Sequence, residues 1–329
     1  MVINYYSVRL FCSLIFIVLF SYMCLSTYRY VFISTDISVI EKALERPSKS
    51  SMIHLNGAIK TLGGIKQTYV INLPYREDRR TGIIALFQKL DYNVFIVPGF
   101  DIHSPVTVSR AQLTRKGDLR LVELASWLSH IQVWLEIDAL GNDSWGLIFE
   151  DDIDLELSTF DILQSFPSDL WNIPDMIYLG YCGNNPGPII YEGIQGYRVH
   201  QAMHPSCAHA YAIRHRSVEK ILPLLSPPQD VIDDAIVELV KNKNILVYSI
   251  HPPLAIQQTI TSSRPSDMNP VESTLRYKVG KGINYISEWW RGVEFTDKLK
   301  NSSLAQADFK KANEWRINHE SDIWKKKHL

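Results

Sequence analysis

A chain of 329 residues, 46% hydrophobic and 21% charged, is long enough for one large α/β domain with appendages or for two small domains. Its net charge is −1, and its only basic block is a short KKK near the C-terminus, which argues against nucleic acid as the main partner. The 16 tyrosines and 8 tryptophans suit aromatic surfaces for sugar stacking and suit a core equally well.

Residues 1–9 read as a short cytosolic tail. Leu10 to Tyr28 is apolar, carries no charge and is bracketed by Arg9 and Arg29. Its length fits a transmembrane signal anchor. A cleaved signal peptide is the rival, but no A-x-A site follows the run. An anchor would place the domain that follows in the lumen of the Golgi or endoplasmic reticulum, as a single-pass type II membrane protein. The two N-x-[ST] sequons, at Asn142 and Asn301, are compatible with that side of the membrane. Cys12 and Cys24 fall in the anchor. Cys182 and Cys207 remain, either paired as a disulfide or separate as buried thiols.

Residues 29–65 read as a stem and 66–260 as the folded domain. Thr68 to Leu73 is β-rich and ends at Pro74, so it is expected to be the first strand. Arg76, Glu77, Asp78, Arg79 and Arg80 follow, then Ile83, Leu86, Phe87 and Leu90 at helical spacing. Guanidinium groups at that turn can meet a phosphate or a nucleobase edge; the alternative is a solvated first turn capped by an acid. Asn93 to Val97 predicts a second strand, residues 101–120 a loop, and Leu121 to Leu140 a helix. On that helix Leu124, Leu128, Ile131 and Leu135 share one face, and Trp127, His130 and Trp134 share another. Such a helix is buried on two sides or lines a pocket.

Trp145 to Glu156, WGLIFEDDIDLE, is the most informative stretch. A buried strand ends in Glu150, Asp151 and Asp152, with Asp154 and Glu156 behind. Adjacent carboxylates at a strand end repel one another and favour a hard divalent cation, Mn2+ or Mg2+. Ligands of open α/β sheets bind just beyond the carboxyl ends of the strands. The alternative is a solvated acidic turn.

Further strands are expected at Asp175 to Gly180, Ala208 to Ile213 and Ile245 to Ile250, with a Gly/Pro-rich loop over Tyr181 to Gly196. Arg214 to Leu225 and Val231 to Lys241 read as helices, the second capped by Asp230, with Asp233 and Asp234 in its first turn. Residues 261–329 form an extension to which no chemistry is assigned. Alternating strands and helices predict an α/β fold with a mostly parallel sheet flanked by helices. GxGxxG after the first strand, Walker A, GxSxG and HExxH are all missing. Hydride transfer, P-loop phosphate transfer, α/β-hydrolase and zincin chemistry therefore lose support.

Six segments in order resemble glycosyltransferase family 25, the lipooligosaccharide and procollagen galactosyltransferases. INLPYREDRR (71–80), LASWLSHIQVW (124–134), LIFEDDIDL (147–155), DMIYLGYC (175–182), HAYAI (209–213) and VIDDAIVELV (231–240) with YSIHPPLAIQQ (248–258) are similar to its landmarks. The divergent tail and type II topology suggest a eukaryotic, fungal-type member. The resemblance implies a GT-A fold, a UDP-sugar donor (most often UDP-galactose), Mn2+ or Mg2+ assistance, a glycan or glycoprotein acceptor, and inversion. Read onto this sequence, Asp151, Asp152 and His251 are the metal-ligand candidates. Asn72, Leu73, Arg76, Arg79, Arg80, His130 and Glu150 are the donor-binding candidates, and Asp233 or Asp234 the general base. A silent lumenal scaffold of the same fold and a metal-dependent nucleotide-sugar hydrolase are the alternatives.

Overall fold

The computed structural model describes residues 52–58, 64–111, 119–182, 186–226, 228–257, 299–301 and 303. The expected anchor over 10–28 and most of the C-terminal extension lie outside these residues. Among the described residues no helix is long and apolar enough to cross a membrane.

A nine-stranded sheet runs through the molecule in the order β1 (Ile53–Leu55), β3 (Val94–Pro98), β2 (Ile65–Asn72), β4 (Trp145–Glu150), β9 (Ser206–Arg214), β6 (Met176–Cys182), β10 (Val247–His251), β8 (Arg198–Ala202) and β7 (Pro186–Glu192). Strands β2, β3, β4, β6, β7 and β10 run one way, and β1, β8 and β9 run the other. The sheet is thus mixed. The parallel pairings expected for an α/β domain are β2–β3, β2–β4 and β6–β10, and antiparallel β9 is wedged between β4 and β6. The carboxyl ends of β2, β4, β6 and β10 consequently meet at one edge, together with the start of β9.

Both sheet faces are covered. Helix α1 (Glu77–Lys89) buries Ile83, Leu86 and Phe87 at i, i+3 and i+4 in one core, with Val70, Leu147 and Phe149. α4 (Thr159–Ser165) adds Phe160, Ile162 and Leu163 to that core. The opposite face carries α2 (Pro105–Ala111), α3 (Leu121–Asp138), α5 (His215–Leu225) and α6 (Ile232–Lys241). α3 is buried almost all round, as the two apolar faces of its sequence predict: Leu124 and Leu128 on one side and Trp127, His130 and Trp134 on the other are all enclosed. Its approach to β4 needs Gly146, because a Cβ there would overlap the Ile137 side chain.

Several expectations change. The stretch read as a loop over 101–120 contains α2. The Gly/Pro-rich segment at 181–196 contains β7, which among the described residues is an edge strand paired with β8 alone. An edge position tolerates proline because one side of the strand has no ladder to break. β1 comes from the expected stem and pairs antiparallel with β3. α6 starts one residue late, with Val231 as its N-cap, and Asp230 accepts the Val231 N–H at 2.9 Å.

A small second sheet closes the shared edge. β5 (Ile153–Leu155) pairs antiparallel with β11 (Ala255–Gln257). The Leu254 N–H donates to Leu179 O at 2.7 Å, and the Glu156 N–H donates to Leu254 O at 2.8 Å. Gly180 is required beneath this sheet: a Cβ would overlap Ala255 O and His209 Nε2. The obstacle is backbone, so Gly180→Ala should lower stability by about 1–3 kcal/mol, an overpacking cost that the denaturant midpoint reads directly. Part of the C-terminal extension docks nearby. The Asn301 N–H donates to Glu156 Oε2 at 2.8 Å, and the Ser303 N–H donates to Leu155 O at 2.9 Å. Glu156, fully buried, is therefore tied to the extension and stands apart from the other acids of its run. Both sequon asparagines, Asn142 and Asn301, are exposed.

Candidate active site

The acidic turn between β4 and β5 lies at the shared edge, as the strand-end argument requires. Its carboxylates point to different partners. Asp151 accepts from Asn72 Nδ2 at 2.7 Å and from Arg79 Nη1 at 2.8 Å. Asp152 lies 3.3 Å from the same Arg79 nitrogen. Glu150 turns to the α3 face, 3.3 Å from His130 Nε2, and accepts from Gln257 Nε2 at 3.2 Å.

Burial dominates the charge balance. It raises Asp151 above the ordinary carboxylate range even though Arg79 and Asn72 pull it down. It pushes Asp152 up to about 7, where Arg79 opposes and the charges of Glu150 and Asp151 reinforce. For Glu150 burial also disfavours ionisation, but the hydrogen bond from His130, aided by the charge of Arg79, brings the carboxyl below its usual range. Burial lowers His209, and the charge of Glu150 acts against that. Asp152 Oδ1 is buried and has no hydrogen-bond partner. A buried carboxylate oxygen without a donor, next to a second carboxylate raised by burial, is the donor set that a hard divalent cation satisfies. Asp151 and Asp152 therefore fit Mn2+ or Mg2+.

The remaining candidates divide. Arg76 pairs with Asp78, its Nε 3.0 Å from Oδ1. Arg80 donates to Asn72 Oδ1 at 3.3 Å and to Pro74 O at 2.9 Å. Leu73 contributes its carbonyl to the turn, accepting the Arg76 N–H at 2.8 Å. The four candidates Asn72, Arg79, Asp151 and Asp152 form one connected group, with Arg80 attached through Asn72. Among the described residues, neither set of three His, Cys, Asp or Glu side chains whose ligand atoms converge within 4.8 Å contains Asp151, Asp152 or His251. His251 is the last residue of β10, which is separated from β4 in the sheet by β9 and β6. Its Nδ1 lies 2.9 Å from the Tyr181 hydroxyl, and its ring meets His200 edge-on at 5.9 Å.

Asp233 and Asp234 occupy the first turn of α6 as expected. Asp233 Oδ2 accepts the Cys207 N–H at 3.2 Å at the start of β9. Cys207 is in the left-handed region at φ 64° and is bonded to Cys182, so the paired alternative for the cysteines is the observed one. Asp233 thus reaches the edge that also holds Glu150, through the strand that carries His209. Asp234 is exposed; partial burial raises its carboxyl, with Asp233 and Asp230 adding to the shift.

Residues 65–182 match the family model described as glycosyltransferase family 25 (LPS biosynthesis protein). The match covers β2, α1, the acidic turn and β6, and so takes in Asn72, Arg79, Glu150, Asp151 and Asp152. The match supports glycosyltransferase activity, which implies a sugar donor and an acceptor. No curated protein matches the chain. Two site residues escaped the reading of the sequence: Tyr211, which contacts His130, and Gln257, which holds Glu150. HAYAI and the PPL–Q segment drew attention to their neighbourhoods, but no periodicity tells which side chain in them faces Glu150.

Proposed function

We propose that this chain transfers a hexose, galactose in the first instance, from a UDP-sugar to a hydroxyl of a glycan or glycoprotein, with metal assistance and inversion. The observation that carries the reading is the unpartnered, buried Asp152 Oδ1 beside Asp151, inside the family-matched segment. Mn2+ or Mg2+ bound by Asp151 and Asp152 would supply neutralisation of the charge on the departing diphosphate. Asn72 and Arg79 orient Asp151 for that task, and Arg79 also reaches Asp152. Arg76 and Arg80, at the N-terminal turn of α1, lie where a nucleotide phosphate would be bound. The acceptor oxygen forms its bond to the anomeric carbon as the bond to the diphosphate breaks. UDP leaves with the bonding electrons, and Asp233 takes the hydroxyl proton. Its hydrogen bond from Cys207 N–H aims the carboxylate while leaving its other oxygen for the acceptor.

The membrane placement is part of the proposal. The apolar run over 10–28, the exposed sequons and the disulfide all suit a lumenal domain on a type II anchor in the Golgi or endoplasmic reticulum. The deciding experiment is UDP release by the full chain from UDP-galactose and UDP-glucose, with and without Mn2+ and with a panel of glycan acceptors. Mn2+-dependent release stimulated by an acceptor is the expected result. A folded protein that neither binds UDP in the presence of Mn2+ nor releases it would leave a scaffold role in its place. Release that no acceptor ever stimulates would point to a hydrolase.

A further inference from the structure

We infer that Tyr211 and Trp134 are positioning residues: they set which nitrogen of His130 carries the proton, and His130 with Gln257 then holds Glu150 in one orientation. The consequence for donor binding rests on the transferase reading above; the proton's position does not.

The argument begins from what each group can do. Trp134 Nε1 only donates, and it lies 2.8 Å from the Tyr211 hydroxyl. That hydroxyl therefore accepts from Trp134 and keeps its single proton to donate elsewhere. Its other neighbour is His130 Nδ1, at 2.9 Å. Nδ1 is thus the acceptor, which places the proton of the neutral imidazole on Nε2. Nε2 faces Glu150 Oε1 at 3.3 Å and donates to it. The second carboxylate oxygen accepts from Gln257 Nε2 at 3.2 Å. The chain Trp134–Tyr211–His130–Glu150 has one self-consistent direction of donation, and Gln257 closes it from the far side.

The surroundings keep water from competing. Trp134 and Tyr211 are fully buried, and His130 is 1% exposed. His130 and Trp134 lie four residues apart on α3, so the same helical face presents both to β9. Tyr211 is fixed further by stacking on Tyr178, ring centroids 5.6 Å apart. Two segments far apart in sequence, LASWLSHIQVW and HAYAI, thereby form one device. A purely structural role would need the hydrophobic bulk of Tyr211 and Trp134 but would be indifferent to the hydroxyl.

The test uses the full chain with 15N-labelled histidine. The wild-type spectrum should show the His130 proton on Nε2. In Tyr211→Phe, which keeps the ring and loses the hydroxyl, the proton should move wholly or partly to Nδ1. In UDP-sugar turnover the same variant should raise KM for the donor about tenfold, with kcat changed less than about threefold, the pattern of lost ground-state binding. His130→Gln, which keeps a donor towards Glu150, should raise the donor KM less than His130→Leu does, and His130→Leu should match Tyr211→Phe. A wild-type proton on Nδ1, an unchanged spectrum in Tyr211→Phe, or equal KM values for His130→Gln and His130→Leu would each overturn the inference. If Tyr211→Phe does not fold, the wild-type spectrum and the His130 pair still decide. If no UDP-sugar is turned over at all, the spectra decide alone, and that failure belongs to the transferase reading.

Discussion

Asp152→Asn should abolish metal-dependent UDP release while leaving the protein folded and more stable above neutral pH. The activity side follows from the loss of one of two carboxylates proposed to hold the metal. Lewis-acid stabilisation of the departing diphosphate is worth several kcal/mol, so turnover should fall by at least about 10²-fold. The stability side follows from burial. The Asp152 carboxyl is pushed from its ordinary value of 3.8 up to about 7. Between those values the folded protein holds a proton that the unfolded chain gives up, so the wild type loses stability as pH rises from 3.8 through about 7. An amide at 152 carries no such penalty. Without added metal, the melting-temperature advantage of Asp152→Asn should therefore grow between pH 5 and pH 8. A variant that melts earlier than the wild type at pH 8 in the absence of metal would contradict this account. Retained Mn2+-dependent turnover would remove Asp152 from the metal site.

Arg79→Leu should produce the largest loss of stability of any single change at this edge. One guanidinium nitrogen serves both acids, at 2.8 Å from Asp151 and 3.3 Å from Asp152. The side chains of Arg79 and Asp152 are 10% exposed and that of Asp151 is 6% exposed, so solvent screens the group weakly. Removing the cation from a buried ion pair leaves uncompensated charge and typically costs about 3–5 kcal/mol. Asn72 would still donate to Asp151, but among the described residues no other cationic side chain pairs with either acid. Added Mn2+ should stabilise Arg79→Leu by more degrees than it stabilises the wild type, because the ion replaces the missing charge. Thermal melting with and without Mn2+ reads both effects. Equal Mn2+ responses in the two proteins would mean that the ion does not bind at Asp151 and Asp152.

Local chemistry made much of this molecule legible from its sequence. TYVINL, NVFIV and WGLIFE are apolar runs bounded by proline or acid, and each forms the strand expected of it. The two apolar faces of Leu121–Asp138 required enclosure on both sides, and the helix is enclosed. Three carboxylates behind a buried strand announced a site, because such a run is costly anywhere except beside a cation or water. The resemblance of six segments in order pointed to glycosyltransferase family 25, and residues 65–182 match its family model.

What the sequence could not determine were relations between distant segments. The edge strands β1 and β7 and the closing pair β5–β11 are short, and each is stabilised by a partner elsewhere in the chain. Periodicity carries no information about such partners. The antiparallel placement of β9 is likewise a matter of pairing, and it is what brings Tyr211 against His130. The division of labour among Glu150, Asp151 and Asp152 also arose only in three dimensions. Successive residues at a strand end point in different directions, so one acid meets α3 and β11 while its neighbours meet Asn72 and Arg79. Residue type and order determined that a charged site exists and which strand end bears it. Tertiary packing decided which carboxylate is held by hydrogen bonds and which is left with an oxygen to offer a metal, because the partners that each buried acid meets separate the protonation behaviour of chemically similar neighbours.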